Sequence, residues 1–329
     1  MLTALSIVMR NERLYCIHVE HGIRPPEESR GDAFFVRDYC QKLGIECRMV
    51  SIPQGKIASF ARKKGAGIEA AARFFRRKAL FGEASKLGEN TRILVAHTKD
   101  DLLETALMRV LRGCGPAGLA AMPAEKIEKN KKQRIILRPL LSVNREDVIN
   151  YLTAKGIQWR EDSTNTDEKF LRNRIRRRLV PLLNETFPSW KTAVSNMAET
   201  QSLAADFIAE EAKNRICWEL FHEPHEPART KKNKHFVLFT NEENFFAQPL
   251  IIREEALFLA IDRFLKGKKN MSSIKRSVIR QFCSKSAAAA DLGVVQVRKE
   301  GGKILLSRKR KEFFESGVSI LIENAAVRL

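Results

Sequence analysis

Strand-like and helical patterns alternate through the first half of the chain, and this alternation limits the possible folds more than any other feature. The strand-like runs cover residues 14–19, 47–52, 93–96 and 135–137, and the helical segments cover 31–43, 68–87 and 101–112. Strand, helix and strand repeated in this way predict a parallel sheet with helices on both faces. We therefore expect an α/β, Rossmann-like fold, with ligands bound at the carboxyl ends of the strands.

The pattern changes after residue 185 and indicates a second, smaller domain. Residues 190–220 have helical spacing, and a stretch rich in Pro, His and Lys follows them. Two later strand-like runs are joined by Gly301 and Gly302, which is typical of a hairpin. We expect a catalytic domain over 1–185, a helical linker and loop over 186–234, and an α+β domain over 235–329.

The charge of the chain favours a polyanionic partner. Its 329 residues include 59 Lys and Arg against 39 Asp and Glu, a net charge of +20. Such a field attracts nucleic acid, although a merely basic protein is the simpler alternative. The six Cys form no C-x-x-C pair, so we expect no structural metal and a reducing, cytoplasmic location. No apolar run approaches the roughly 20 residues of a membrane span, so we expect no membrane partner.

An acidic segment after the third strand-like run is the first candidate site. His97 follows that run, and Asp101 and Glu104 are one helical turn apart. Two carboxylates at the end of a strand can hold an ammonium group or Mg²⁺. The alternative is that these acids only complement the helix dipole, with Asp100 as the N-cap.

Three further segments have residues suited to phosphate, each with a structural alternative. Gly113 and Gly115 follow Arg112 and allow close backbone approach, but a helix C-cap explains them equally well. Five arginines within residues 172–178 suit phosphate contacts or form a solvated basic face. The third segment, HVEHGIR (18–24), follows a strand and offers a loop able to contact a nucleotide.

Six segments in this order resemble the N-type ATP pyrophosphatases and, within them, the tRNA(Ile)-lysidine synthetases. They are HVEHGIR (18–24), GIEAAAR (67–73), HTKDDLLET (97–105), RVLRGCGPAGLAAM (109–122), RPLL (138–141) and EDSTNTDEKFLRNRIR (161–176). The resemblance covers roughly the first 185 residues, and it rests on the order and spacing of the segments because each one alone is weak evidence.

The resemblance implies a ligase that joins free lysine to C2 of the wobble cytidine of a minor tRNA(Ile) with a CAU anticodon. ATP with Mg²⁺ is the co-substrate, and AMP and pyrophosphate are released. The catalytic residues implied are Asp101, Glu104 and Arg112, with Asp101 also a candidate Mg²⁺ ligand. The implied nucleotide-binding residues are His18, His21, Gly22, Arg24, His97, Arg109, Gly113 and Gly115. Asp101, Glu104, Arg172, Asn173, Arg174 and Arg176 are expected to contact lysine or tRNA, and the domain 235–329 to grip the tRNA body.

The sequence departs from the family in its first residues. An S-G-G-x-D-S loop after a first strand is expected, and residues 1–8 resemble the helix that follows such a loop. Two explanations stay open: a start upstream of Met1, or a truncated chain that is an inactive or non-catalytic tRNA-binding remnant. A tRNA thiolase of the same superfamily is a further alternative, although only Cys114 lies in a motif. The oligomeric state is also open.

Overall fold

The computed structural model describes residues 1–9, 13–23, 25–128, 134–161, 167–222, 236–265, 274–284 and 287–308. The chain divides into two compact units, Met1–Leu203 and Ala204–Leu329. The division falls within a long helix, Trp190–Arg215. Across the described ranges, every helix is too short or too polar to cross a membrane.

The first unit alternates helices with parallel strands. Its elements are α1 (Leu2–Val8), β1 (Tyr15–Glu20), α2 (Pro26–Lys42), β2 (Glu46–Ser51), α3 (Lys56–Lys64), α4 (Ile68–Lys86), β3 (Ile93–Leu94), α5 (Lys99–Arg112), α6 (Pro116–Leu119), β4 (Glu125–Glu128), β5 (Arg134–Leu137), α7 (Arg145–Ala154), α8 (Leu171–Arg174), a π-helical turn (Ile175–Leu179), α9 (Val180–Thr186) and the start of α10 (Trp190–Arg215). Strands β1 and β2 pair in parallel, as do β3 and β5, and β4 adds an antiparallel edge to β5. The α/β class predicted from the sequence is confirmed.

Helices cover both faces of the β1–β2 pair. Successive residues of a strand point to opposite faces, so Cys16 and Val19 lie on different faces of β1. Cys16 meets Cys40 of α2, whereas Val19 packs against a buried cluster formed mainly by α3 and α4. The members of that cluster are Ile52, Ile57, Ala61, Ala71 and Phe75. This packing leaves every residue of β1 partly buried, whereas β2 keeps three exposed residues.

Helix α5 begins earlier than the sequence predicted. Its N-cap is Thr98, which forms a reciprocal capping box with Asp101, so the expectation that Asp100 caps the helix was wrong. Asp100 instead accepts a hydrogen bond of 2.7 Å from the backbone N–H of Arg145, the first residue of α7. The N-termini of α5 and α7 are therefore linked by one carboxylate.

The second unit contains an antiparallel sheet and a helical layer. After the end of α10 its elements are β6 (Glu219–His222), β7 (Phe236–Asn241), α11 (Glu242–Ala247), α12 (Leu250–Leu265), α13 (Arg276–Cys283), β8 (Ala289–Asp291), β9 (Val295–Glu300) and β10 (Lys303–Arg308). The sheet order is β6-β7-β10-β9-β8, and the predicted hairpin at Gly301 and Gly302 is confirmed. Residues 219–220, predicted as helical, pair with β7 instead, because strand pairing overrides a weak helical pattern.

Candidate functional site

Glu104 is the buried centre of the candidate site, with 3% of its surface exposed. Arg176 donates two hydrogen bonds to it, from Nε to Oε1 at 2.7 Å and from Nη2 to Oε2 at 3.0 Å. Arg172 places Nε 3.0 Å from Oε2 in an ion pair whose angle is unsuited to a hydrogen bond. A buried carboxylate requires such partners, because an uncompensated charge in the interior is strongly unfavourable. Glu104 and the arginine segment, separated by 72 residues, therefore form one cluster.

Asp101 lies beside this cluster, and its two carboxylate oxygens have different partners. Oδ2 accepts hydrogen bonds from the backbone N–H and the hydroxyl of Thr98, at 2.9 and 3.3 Å. Oδ1 lies 3.9 Å from Nη2 of Arg172 and 4.0 Å from Nη2 of Arg176. One carboxylate oxygen thus remains directed at the arginines and accepts no hydrogen bond from a described residue.

His97 precedes the N-cap of α5 and is a neutral imidazole at pH 7. Burial is the main cause that lowers its pKa to about 4; the charge of Asp101 opposes this shift, and the charges of Arg138, Arg73 and Arg76 contribute to it. Its Nδ1 atom is buried and finds no hydrogen-bond partner among the described residues. His97 is therefore available as a polar contact for a ligand and does not add positive charge there.

The end of α5 separates two arginines that the sequence grouped together. Arg109 donates from Nη1 to the carbonyl oxygens of Gly118 and Ala121, both at 2.6 Å, and so fixes the turn around α6. Arg112 is exposed and has no ion pair with a described residue. Gly113 ends α5 with φ at +72°, and Gly115 caps α6. The structure gives Arg109 and the glycines a local structural role, and their contact with nucleotide stays a prediction.

A cavity of about 330 Å³ opens at the carboxyl end of β1. Its volume falls in the range of small-molecule sites, which begins at roughly 300 Å³. It is lined by predicted site residues and by several others: His18, Val19, Glu20, His21, Gly22, Ile23, Ser29, Ile68, Glu69, Ala72, Arg76, Phe170, Arg172 and Asn173. Arg172 joins the cavity to the Glu104 cluster. Of the predicted nucleotide residues, Arg24 lies outside the described part of the chain.

Gly22 shapes the turn at the mouth of this cavity. Its φ is +60°, and a Cβ atom there would lie 2.6 Å from the carbonyl oxygen of Ile52. Any other residue would meet both the strain of a left-handed backbone and this contact. The loop after β1 can therefore approach the end of β2 only because residue 22 is glycine.

Arg76 is a site residue that was missed in the sequence. It lines the cavity together with Glu69 and Ala72, which lie on the same face of α4 at helical spacing. Burial lowers the pKa of its guanidinium group, and the nearby charges of Arg73 and Arg172 lower it further. No described residue forms a hydrogen bond or ion pair with it. The i, i+3, i+7 spacing places these three residues on one face of α4, but the sequence does not show which face of the helix lines the cavity.

The arginine segment divides into two groups. Arg172 and Arg176 face Glu104, whereas Arg174, Arg177 and Arg178 are exposed. Asn173 is buried and donates from its side chain to the carbonyl of Asp167 at 2.8 Å, which anchors the start of α8. Arg174, Arg177 and Arg178 therefore fit the solvated basic face that was one alternative drawn from the sequence, and the phosphate contacts of the other alternative stay a prediction.

Comparison with known proteins places these features in a family. Residues 1–183 match the family described as the PP-loop domain. The "tRNA(Ile)-lysidine synthase" of Treponema denticola is 30% identical over 297 residues, which are 90% of this chain and 60% of that protein. The protein of the same name from Thermus thermophilus is 34% identical over 214 residues, 65% of this chain and 39% of the relative. The chain therefore spans less than two thirds of the length of these curated relatives.

One solved structure is a weaker match. It is the "U34-tRNA thiolase NcsA from Methanococcus maripaludis with its [4Fe-4S] cluster", with a TM-score of 0.49 and 15% identity over 61% of this chain and 67% of that one. A likeness of this size carries no argument about function. The sequence comparisons agree with the resemblance seen in the six motifs, and the match over more than half of its length shows that this chain belongs to the PP-loop domain family.

Proposed function

We propose that the protein uses ATP to ligate free lysine to C2 of the wobble cytidine of a minor tRNA(Ile). The C2 carbonyl oxygen of cytidine is a poor leaving group, so ATP first transfers AMP to it and pyrophosphate leaves. The lysine amine then forms a bond to C2, and AMP departs with the oxygen. The observation that supports this proposal most is the convergence of Asp101 and Glu104 with Arg172 and Arg176 beside a cavity at the carboxyl end of a strand.

The mixed charge of this cluster suits an amino-acid substrate. Two carboxylates are balanced by two guanidinium groups, and Oδ1 of Asp101 stays free of hydrogen bonds from described residues. A free amino acid likewise has a carboxylate and an ammonium group close together. The ammonium group pairs with Asp101, and the substrate carboxylate is attracted by the arginine Nη groups. Glu104 holds the two arginines in place and is too deeply buried to contact much of the substrate.

The cavity beside the cluster is the proposed place for ATP. Arg76 and Arg172 supply positive charge for phosphate oxygens. Gly22 allows the loop that lines the cavity to lie against the backbone at Ile52. Mg²⁺ fits only as a partner of the phosphates, since Asp101 offers it a single oxygen and both oxygens of Glu104 are paired. When bound, the ion would neutralise phosphate charge. His97 is proposed as a neutral hydrogen-bonding contact to nucleotide or base.

The proposed tRNA partner is supported by charge. The net charge of +20 favours a polyanion, and the exposed Arg174 and Arg178 lie a few residues from the arginines of the cluster. A wobble base in an anticodon loop is already unpaired, so presenting it to the cavity costs little. Residues 235–329, which belong to the second unit, are proposed to contact the tRNA body.

The test is incorporation of labelled lysine into unmodified tRNA(Ile), together with measurement of AMP and pyrophosphate release. We expect product only when ATP, lysine and this tRNA are all present. Asp101→Asn removes the charge that pairs with the lysine ammonium group, so it is expected to raise the KM for lysine at least about 10-fold. Asp100→Asn is the matched control, because its side chain contacts the backbone of Arg145 and not the cluster.

Three results would contradict the proposal. The first is AMP release with tRNA but without any requirement for lysine, which indicates another modification chemistry. The second is tight tRNA binding with no AMP release, which indicates a binding protein. The third is an equal effect of Asp100→Asn and Asp101→Asn on the KM for lysine, which indicates that both acids act only on helix geometry.

A further inference from the structure

Three cysteines that are distant in sequence meet on one face of the β1–β2 pair. Cys16 and Cys47 are direct partners in the parallel register of the two strands, and Cys40 belongs to the last turns of α2. Their three Sγ atoms all lie within 4.8 Å of one another. Each thiol comes from a different element, so the cluster depends on the packing of α2 against both strands. No short motif records this arrangement.

A fourth sulfur extends the cluster. The Sγ of Cys47 lies 3.7 Å from Sδ of Met49, which is two residues further along β2 and therefore on the same face. Thiolates and thioethers are soft donors that select d¹⁰ cations such as Zn²⁺ and Cu⁺ over Mg²⁺ or Ca²⁺. Four sulfur atoms in one place thus define a chemical preference, whereas a single buried Cys does not.

The spacing of the thiols is close to that of a metal site. A tetrahedral centre with metal–sulfur bonds of about 2.3 Å sets its sulfurs about 3.8 Å apart. The observed limit of 4.8 Å between the Sγ atoms exceeds this by about one ångström. Small rotations about the Cα–Cβ bonds of half-buried Cys16 and Cys47 are sufficient to close that difference, without movement of the backbone.

We infer that Cys16, Cys40 and Cys47 form a binding site for one thiophilic d¹⁰ cation, with Met49 as an additional soft contact. The site adjoins the cavity along β1: Cys16 is two residues before His18, the first of the cavity-lining residues, which corresponds to about 7 Å along an extended strand. The cation would tie α2 to both strands near their amino-terminal ends and so stabilise the fold. The expectation from the sequence of no structural metal is replaced by this inference.

The pKa values of two thiols determine how cation binding depends on pH. Burial, followed by the two neighbouring thiols, raises the pKa of Cys16, and burial together with Cys40 raises that of Cys47 to about 11. A hydrogen bond with Cys16 and the charge of Arg37 act in the opposite direction on the pKa of Cys47. At neutral pH Cys16 and Cys47 are therefore thiols. A bound cation displaces up to three protons, so its affinity must rise with pH.

The test uses Cd²⁺ as a spectroscopic probe, because a cadmium–thiolate bond absorbs in the near ultraviolet. The full chain is prepared under reducing conditions with Cys114→Ser and Cys217→Ser, which remove the two exposed thiols. We expect one equivalent of Cd²⁺ to bind with thiolate absorption, to release protons, to raise the Tm, and to be displaced by Zn²⁺ but not by Mg²⁺. Cys47→Ser in this background is expected to weaken Cd²⁺ binding about 100-fold or more.

Cys283→Ser is the matched control. Cys283 is buried in the second unit, and burial raises its pKa to about 12, yet it has no thiol partner among the described residues. The variant should bind Cd²⁺ as tightly as the background. Three results would overturn the inference: folded protein without thiolate absorption at one equivalent of Cd²⁺, Cd²⁺ bound without such absorption, or equal affinity in the Cys47→Ser and Cys283→Ser variants. Circular dichroism of each variant confirms that folding is retained, and none of these measurements depends on tRNA or ATP.

Discussion

At the scale of single residues, Glu104 shows how an acidic side chain is accommodated in the interior. It retains 3% exposure and is paired with Arg172 and Arg176, whose side chains are 24% and 30% exposed. The attraction between the buried charges is largely offset by the cost of removing them from water. The pairing therefore contributes to stability mainly because it prevents Glu104 from being buried without a partner. Removing the one carboxylate therefore affects three residues.

Glu104→Gln is expected to lower the free energy of unfolding by about 2–3 kcal/mol, because it leaves two partly buried guanidinium groups without their main partner. Urea denaturation at pH 7 measures the change. Glu168→Gln is the control, since Glu168 pairs with Arg178 at the surface. Its expected cost is below about 0.5 kcal/mol. Equal destabilisation by the two substitutions would show that the buried pairing of Glu104 is not special.

His97 makes stability depend on pH in a defined window. Its pKa in the folded chain is about 4, below the ordinary value of 6.5, mainly because of burial. As the pH falls from 6.5 towards 4, the unfolded chain binds a proton that the folded chain does not, so the folded state loses stability. His97→Gln is expected to lose less stability than the parent between pH 7 and pH 5. An imidazole NMR titration with a pKa near 6.5 would contradict this expectation.

At the scale of elements, the turn after β1 depends on one glycine. Gly22→Ala is expected to cost about 2 kcal/mol or more, since it combines left-handed strain with the contact to the carbonyl of Ile52. Gly44→Ala is the control, because its φ of +67° is similar but no heavy atom lies within 4 Å of the added Cβ. It should cost about 1 kcal/mol. The difference in Tm between the two variants measures the effect of the contact between the added Cβ and the carbonyl oxygen of Ile52. ATP binding should weaken only in Gly22→Ala.

Much of the first unit was predictable, because its strands and helices each carry a local signal. Periodicity identified β1, β2 and α4 to within one or two residues, whereas β3 is limited to Ile93 and Leu94. The capping box at Thr98 was also recorded locally, as a Thr followed three residues later by an acid. The pairing of Glu104 with Arg176 could not be predicted from local sequence, because no periodicity relates residues so distant in sequence.

The second half of α5 shows a different limit. Leu103, Leu107, Val110 and Leu111 have the spacing of a buried stripe, and Leu103 is indeed buried. Val110 and Leu111 are 47% and 69% exposed. The spacing of apolar residues shows which face of a helix is apolar, but it does not show how many turns of that face are covered by neighbouring elements. The same limit hid the thiol cluster, since the apolar face of α2 does not reveal that Cys40 will meet two other cysteines.

At the scale of the whole molecule, the basic charge predicts how tRNA binding responds to salt. Each phosphate contact contributes a slope of roughly 0.7–0.9 in log K against log salt concentration. Arg174→Gln with Arg178→Gln is expected to reduce the slope for tRNA(Ile) by about 1.5. Lys63→Gln with Lys64→Gln removes the same charge from the exposed end of α3 and is the control. Filter-binding measurements over a range of KCl concentrations distinguish local phosphate contacts from attraction by the net charge of the whole protein. Equal slopes for the two double variants would contradict the proposed contacts.

The partnership between Glu104 and Arg176 also has a consequence for synthesis of the protein. Translation adds residues from the N-terminus, so α5 is complete while its two cationic partners are still to be made. During that interval the carboxylate cannot enter the interior at low cost, and the first turns of α5 have to stay hydrated. The arrival of Arg172 and Arg176 closes a loop of 72 residues. The buried pairing of Glu104 is therefore completed only after the nascent chain has supplied both counter-charges.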